Sequence, residues 1–305
     1  MSAVREAPAP GAPSRRGEVA AALSRALGDG AVLVGSEDLK PYECDGLSAY
    51  RATPLVATIP STENEVAAIL EIARRTKTPV VARGSGTGLS GGALPLADGI
   101  LLSLAKFNRI VAIDPVARRA RVQPGVTNLK ISQSVAHHGL YYAPDPSSQI
   151  ACSIGGNVAE NSGGVHCLKY GLTVHNIAKV RAITIEGDLV DLGSDALDSA
   201  GYDLLALVTG SEGLLAVTLE VTVKLLPKPE LAQVVMASFP DVESAGEAVA
   251  NIIGEGIVPA GLEMMDQLAT SAVEDFVHAG YDLEAEAILL FLHQFNDMYL
   301  TEHRA

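Results

Sequence analysis

The sequence has few cysteines and no long apolar run. Cys44, Cys152 and Cys167 lie far apart, without the CxxC pairs or histidine spacing of zinc and iron–sulfur sites. We interpret them as reduced intracellular thiols and predict no metal site. The longest purely apolar runs, such as IVAI and ILLFL, are far shorter than the roughly 20 residues that span a bilayer. We therefore expect a cytoplasmic protein, with peripheral membrane contact left open.

Basic residues are also scarce. The 305-residue chain has 22 Lys and Arg against 36 Asp and Glu, a formal net charge of −14, which argues against nucleic acid as a partner. With 48% hydrophobic residues it is long enough for one large or two ordinary globular domains. Residues 1–17 are rich in Ala and Pro without the apolar core of a signal peptide, and predict a flexible tail. Residues 18–50 form a lead segment that opens with an amphipathic helix, GEVAAALSRALG.

The next part of the chain alternates between strand and helix patterns. ATPLVATIPSTENEVAAILEIARRTKTPVVARGSG predicts a strand, a helix capped by Ser61 or Thr62 that ends near Arg75, and a buried strand. GILLSL predicts another strand, and RIVAIDPVARRARVQPG predicts a hairpin that turns at Asp114-Pro115. The pattern indicates an α+β fold.

A glycine-rich loop, ARGSGTGLSGG, follows the buried strand. Gly86, Gly88 and Gly91 fit GxGxxG, but Pro95 and a second turn follow instead of the helix that a Rossmann unit requires. A Walker A loop is also excluded, because no Gly-Lys-Ser/Thr follows. Two interpretations remain, a glycine-rich surface turn or a nest of backbone N–H groups for a diphosphate. Three hydroxyl residues would assist the nest: Ser85, Thr87 and Ser90.

Two further stretches favour a ligand. PDPSSQIACSIGGNVAENSGG holds many small residues, which would let a flat, extended ligand lie close to the backbone. Asn157 and Asn161 are spaced i,i+4, so one face of a helical turn would offer both amides to a polar ring edge. In VTGSEGLLAVTLEVTVKLLPKP, Glu212 and Gly213 are predicted to form a turn before an alternating strand.

Together these stretches resemble the FAD-binding domain of the vanillyl-alcohol-oxidase (PCMH-type) flavoproteins. Within that superfamily they are most similar to the FAD-linked subunits of glycolate oxidases and D-lactate dehydrogenases, from about residue 20 to about residue 290. The resemblance implies a PCMH-type two-subdomain FAD-binding fold over residues 51–229. It also implies part of an α+β cap domain over residues 230–305.

The resemblance further implies FAD as the cofactor, with its diphosphate on the loop from Arg83 to Gly91. It leaves the catalytic residues unassigned. The residues expected along the cofactor are Arg83, Gly84, Ser85, Gly86, Thr87, Gly88, Leu89, Ser90, Gly91, Pro144, Asp145, Ser153, Gly155, Gly156, Asn157, Ala159, Asn161, Gly163, Gly164, Glu212 and Gly213.

The implied activity is oxidation of a small 2-hydroxy acid, glycolate or D-lactate, to the 2-oxo acid, with electrons passed to partner subunits that would mediate any membrane contact. The alternatives are an FAD-binding module without turnover, a D-2-hydroxyglutarate dehydrogenase-like enzyme and, third, an oxidase that uses oxygen directly. We interpret His166, Cys167 and His175 as packed or surface residues.

The end of the sequence departs from the family. Relatives continue into an HxGDGNxH-type metal-binding segment and a substrate arginine that this sequence lacks. After Leu290 the pattern no longer favours a cap strand, and a truncated or frame-shifted gene would explain this. We therefore expect QVVMASF and AILLFL to lack the neighbouring strands that relatives supply.

Overall fold

The computed structural model describes residues 15–28, 30–196 and 201–295. Its first layer is a four-stranded sheet in the order β1-β2-β4-β3, in which β2 and β3 run parallel to β4. The elements of this part are α1 (Arg15–Ala26), β1 (Val32–Leu33), α2 (Ser36–Leu39), β2 (Val56–Thr58), α3 (Glu63–Thr76), β3 (Val80–Arg83) and β4 (Ile100–Ser103). Most of the predicted tail lies outside the described residues, but α1 already begins at Arg15, within its predicted bounds.

Helix α3 positions the glycine loop by leading into β3. Its first turn carries a capping box: the Thr62 hydroxyl accepts a hydrogen bond from the Glu65 backbone N–H at 3.2 Å, and the Glu65 carboxylate accepts from the Thr62 backbone N–H at 3.3 Å. The helix ends at Thr76, and Lys77 takes a left-handed conformation with φ 52°. The predicted strand, helix and strand are confirmed, and β3 delivers its last residue, Arg83, to the loop.

The second layer is a five-stranded antiparallel sheet in the order β5-β6-β10-β8-β9. The predicted hairpin is confirmed: the Asp114 carboxylate accepts from the backbone N–H groups of Val116 and Ala117, and Asp114 pairs with Arg119. The elements of this part are β5 (Ile110–Asp114), β6 (Arg119–Val122), α4 (Asn128–Val135), β7 (Leu140–Tyr141), α5 (Ile154–Glu160), α6 (Cys167–Tyr170), β8 (Ile177–Ile183), β9 (Leu189–Gly193), α7 (Leu204–Val208), β10 (Val217–Lys224) and β11 (Leu226–Pro227). Strands β7 and β11 form a separate antiparallel pair.

The two sheets share part of one hydrophobic core. Side chains of α1, α3, β2 and β4 pack together, and Ile183, Val217 and Leu219 of the second sheet join the same buried cluster. A second cluster fills the space between the five-stranded sheet, α4 and α5. Because the sheets are packed through the first cluster, the loops at their junction are held at a fixed separation.

A third sheet follows, in the order β12-β14-β13, with β14 in the centre. Its elements are β12 (Leu231–Phe239), α8 (Val242–Gly254), β13 (Gly261–Asp266), α9 (Gln267–Val277) and β14 (Ala287–Phe295). The predicted α+β class is therefore confirmed for the described residues. None of the described helices combines the length and the apolar character that crossing a membrane requires.

Two expectations about the cap are wrong for the described residues. Strand β14 continues past Leu290 to Phe295, which pairs with Leu231 of β12. AILLFL also has neighbours on both sides, because β12 and β13 both pair with β14. Ladder hydrogen bonds join backbone groups, so a strand tolerates side chains that break the alternation expected from sequence. The apolar side chains of edge strand β12 do remain exposed, Val234 at 61% and Val235 at 59%.

Candidate functional site

A cleft of about 290 Å³ lies where the four-stranded and five-stranded sheets meet. Its walls are the glycine loop after β3, helix α5 and the turn before β10. Of the predicted residues, those that line it are Arg83, Gly84, Ser85, Gly86, Thr87, Gly88, Leu89, Ser153, Gly155, Gly156, Asn157, Ala159, Glu212 and Gly213. The structure thus brings three stretches that are remote in sequence into one site.

The glycine loop needs its glycines for two different reasons. Gly86 and Gly91 have φ angles of +69° and +83°, a region that other residues rarely adopt. Gly84 allows a close approach: a Cβ atom there would lie 2.0 Å from the Ser153 hydroxyl oxygen. The loop leads to β4 and not to a helix, as the exclusion of a Rossmann unit requires.

Arg83 supports the loop from the protein side. It is only 8% exposed, its Nη1 donates to the Tyr42 carbonyl oxygen at 3.3 Å, and its guanidinium lies 5.8 Å from the centre of the Tyr42 ring. A Cβ atom on Gly86 would lie 2.4 Å from Nη2. Burial lowers the pKa of Arg83, and the charge of Asp45 opposes that shift. The guanidinium therefore packs against the loop backbone.

Helix α5 forms the opposite wall. The Ser153 hydroxyl caps it by accepting from the Gly156 backbone N–H at 3.4 Å. Gly155 packs on Pro124, because a Cβ atom there would lie 2.5 Å from the Pro124 Cβ. Asn157 is 2% exposed and lines the cleft; its amide lies beside the Cys152 thiol, and among the described residues its Nδ2 donates to no oxygen or nitrogen acceptor. A buried amide donor without such an acceptor is costly, so it indicates a ligand acceptor in the cleft.

The predicted helical pairing of Asn157 with Asn161 is wrong, whereas the contact of Asn161 with the cofactor stays a prediction. The helix ends at Glu160, and Asn161 is its C-cap in a left-handed conformation with φ 53°. Its Oδ1 accepts from the Val174 backbone N–H at 3.0 Å, and it is not among the residues that line the cleft. An i,i+4 spacing places two side chains on one face only while the helix continues, and here it stops between them.

Six other predicted residues are not among those that line the cleft: Ser90, Gly91, Pro144, Asp145, Gly163 and Gly164. The Pro144 carbonyl accepts from Asn128 Nδ2 at 2.9 Å. Gly164, with φ +154°, packs so closely that a Cβ atom would lie 2.4 Å from the Asp145 carbonyl. Pro144, Asp145 and Gly164 thus contact other parts of the protein, and the contact of all six residues with the cofactor stays a prediction.

His166 belongs to a hydrogen-bond chain that links Asp145 to Gln294 of strand β14. His166 Nδ1 lies 2.6 Å from Asp145 Oδ2, Gln294 Nε2 lies 3.1 Å from His166 Nε2, and the Tyr170 hydroxyl donates to Gln294 Oε1 at 2.8 Å. The carboxylate only accepts, so Nδ1 carries the proton and Nε2 accepts from the Gln294 amide. Together with His175, whose Nδ1 accepts from the Leu172 backbone N–H, His166 is held within the protein.

Sequence reasoning missed Glu160, which lines the cleft beside the glycine loop. Burial raises its pKa above the ordinary value, and the charges of Glu212 and Asp45 raise it further. The sequence did contain a signal for Glu160. A glutamate at the last position of a helix lies at the negative end of the helix dipole, which is unfavourable for its charge, so its presence there indicates a role other than helix stabilisation. Cys152 also lines the cleft, where it is 4% exposed and burial raises its pKa.

These features fit an extended dinucleotide. Gly84 and Gly155 let neighbouring segments pack closely at the cleft, many of the lining residues are small, and the amide of Asn157 supplies a donor. The described residues contain no cluster of three or more His, Cys, Asp or Glu side chains arranged to hold a metal ion.

Comparison with known proteins agrees with this geometry. Residues 54–193 match the family model of the FAD binding domain, and residues 228–304 match that of the FAD linked oxidases, C-terminal domain. The chain is 66% identical over 259 residues to the glycolate oxidase subunit GlcD of Escherichia coli (strain K12), covering 85% of this chain and 52% of that protein. It is 37% identical over 234 residues to the D-lactate dehydrogenase of Archaeoglobus fulgidus, covering 76% of this chain and 52% of that protein.

Among solved structures, p-cresol methylhydroxylase with substrate bound aligns with a TM-score of 0.80 at 19% identity, covering 94% of this chain and 62% of that one. This likeness shows the fold. The chain spans about half the length of the curated relatives it matches. The second family match extends to residue 304, so the end of the chain still resembles the family. The two consecutive domain matches show that this chain carries an FAD binding domain followed by a C-terminal domain of the FAD linked oxidases, and that FAD is its cofactor.

Proposed function

We propose that this protein oxidises a small 2-hydroxy acid, glycolate or D-lactate, to the 2-oxo acid as the flavoprotein subunit of a glycolate oxidase. The observation that carries the proposal is the 66% identity to the GlcD subunit over 259 residues, which include the whole cleft region. The match covers 52% of that relative, so we propose separately that this chain is active by itself.

The cleft residues would hold the cofactor. Backbone N–H groups of the loop from Arg83 to Gly91 would bind the diphosphate, and the Asn157 amide would donate to a polar edge of the flavin. The other predicted contacts, from Pro144 to Gly164 and at Glu212 and Gly213, belong to the same proposal. When bound, FAD would supply the electron acceptor for oxidation of the hydroxy acid.

The same similarity supports partner subunits, and the state of the cysteines supports a location. A relative named as a subunit of glycolate oxidase supports electron transfer from this chain to further subunits, which would carry any membrane contact. The three cysteines are free, which supports a cytoplasmic location where thiols stay reduced.

An FAD-binding module without turnover is the second candidate, and one observation favours it. Oxidation of a hydroxy acid needs a cation for the carboxylate and a base for the hydroxyl proton. Arg83 is the cation among the cleft-lining residues that the structure describes, and it is already bound to the Tyr42 carbonyl. A D-2-hydroxyglutarate dehydrogenase-like enzyme is a further alternative, supported by a relative of that name at 31% identity.

Anaerobic reduction separates these functions. The purified holoprotein is mixed with glycolate, D-lactate or D-2-hydroxyglutarate without oxygen, and the flavin absorbance is followed. Bleaching by glycolate or D-lactate supports the proposed oxidation. Faster bleaching by D-2-hydroxyglutarate supports the D-2-hydroxyglutarate dehydrogenase-like function. An oxidised spectrum that no substrate changes, but that dithionite bleaches, identifies a binding module.

A further inference from the structure

Two carboxylates meet at the glycine loop. Glu160 Oε1 and Glu212 Oε2 both lie within 3.1 Å of the position that a Cβ atom on Gly92 would take. Glu160 Oε1 also lies 3.3 Å from the corresponding position on Gly88. The carboxyl group of Glu160 therefore faces the same stretch of backbone that would hold a diphosphate.

The surroundings of Glu160 add negative charge. The charged groups that act on it are Glu212, from the turn before β10, and Asp45, from the lead segment, while the Ser90 hydroxyl binds it. The cation of this region, Arg83, is engaged by the Tyr42 carbonyl and by the charge of Asp45. Glu160 thus faces like charges before any ligand enters.

An independent feature shows that a ligand belongs in this cleft. Asn157 lines it three residues before Glu160 and is 2% exposed, and beside the Cys152 thiol its Nδ2 has no oxygen or nitrogen acceptor among the described residues. A diphosphate on the loop would bring about two more negative charges next to Glu160. Glu160, Glu212 and the diphosphate would then be three negative groups close together, which is unfavourable unless one of them is neutralised.

We propose that FAD binding at this cleft is coupled to the uptake of one proton by Glu160. The proton comes from solvent, adds to a carboxylate oxygen and leaves again when the flavin dissociates. The inference rests on the proposed function in one respect, that the glycine loop holds the FAD diphosphate. It makes Glu160 a proton-dependent control on cofactor loading.

The coupling fixes the sign of the pH dependence. Burial already holds the pKa of Glu160 above its ordinary 4.5 without ligand, and a bound diphosphate raises it further. FAD affinity is then constant below the pKa of the free protein and falls as pH rises toward the pKa of the complex. The steepest fall for one proton is about tenfold per pH unit.

Fluorescence titration of the apoprotein with FAD, from about pH 5.5 to about pH 8.5, measures this coupling without any turnover. We expect Glu160→Gln to bind FAD about tenfold more tightly than the wild type near pH 8, and to show a nearly flat profile. The matched control is Glu71→Gln, on the exposed side of α3, which should keep the wild-type slope. Calorimetry in two buffers of different ionisation enthalpy should count about one proton taken up by the wild type and almost none by Glu160→Gln.

The outcomes are distinct. Circular dichroism identifies an unfolded variant, and in that case the proton count of the wild type decides alone. A wild-type profile that is flat, or a Glu160→Gln variant that keeps the wild-type slope, overturns the coupling while leaving the proposed oxidation intact. Absence of FAD binding at every pH in the wild type would instead overturn the diphosphate placement, and the proposed function with it.

Discussion

Replacing Gly84 with alanine should separate the two walls of the cleft. The new Cβ atom would lie 2.0 Å from the Ser153 hydroxyl oxygen and 3.2 Å from the Ser153 Cβ, far closer than ordinary contact. The hydroxyl cannot rotate away freely, because it caps α5 through the Gly156 N–H. Overpacking of this kind costs about 1–3 kcal/mol, and loss of the cap about 1 kcal/mol more. We expect stability to fall by about 2–4 kcal/mol and FAD affinity by about tenfold or more.

Urea unfolding of the apoprotein and FAD titration measure the two effects. Gly246→Ala, within α8, is the matched control: nothing lies within 4 Å of its Cβ position, so stability should stay the same or rise by up to about 1 kcal/mol. In a Ser153→Ala background the oxygen is gone, so Gly84→Ala should cost clearly less than in the wild type. Wild-type stability and FAD affinity in Gly84→Ala, or fully additive effects in the double variant, would refute this reasoning.

Three further predictions concern the cofactor and the cap. FAD should be bound noncovalently, since burial raises the pKa of Cys152 and keeps its thiol unreactive; acid precipitation should release the flavin, and colour retained in the pellet would contradict this. Gly86→Val should abolish flavin retention, measured by absorbance after gel filtration, because φ is +69°; a full complement of FAD would make the loop a simple turn. Gln294→Leu should lower the unfolding free energy by about 1–2 kcal/mol, with less than additive effects in combination with Tyr170→Phe; additive effects would show that their hydrogen bond is not formed in solution.

Much of the local structure followed from neighbouring residues. The capping box at Thr62, the hairpin at Asp114 and the end of β3 at Arg83 depend on backbone and side-chain contacts a few residues apart. Such contacts have signals in short stretches of sequence, because the same residues form them in most contexts. The residues after the glycine loop likewise excluded a Rossmann unit without any structure, because Pro95 and a second turn stand where a helix would have to follow.

The sequence by itself therefore determined the α+β pattern, the flavin family and most of the residues that line the cleft. Only the tertiary structure decided how those residues are used. Asn157 and Asn161 do not share a helix face because α5 ends at Glu160. Glu160 lies beside Glu212 at the glycine loop, and the His166 ring contacts Gln294 across 128 positions. Such contacts between remote residues depend on how two sheets pack through a shared core, and no short stretch of sequence encodes the distance between the sheets.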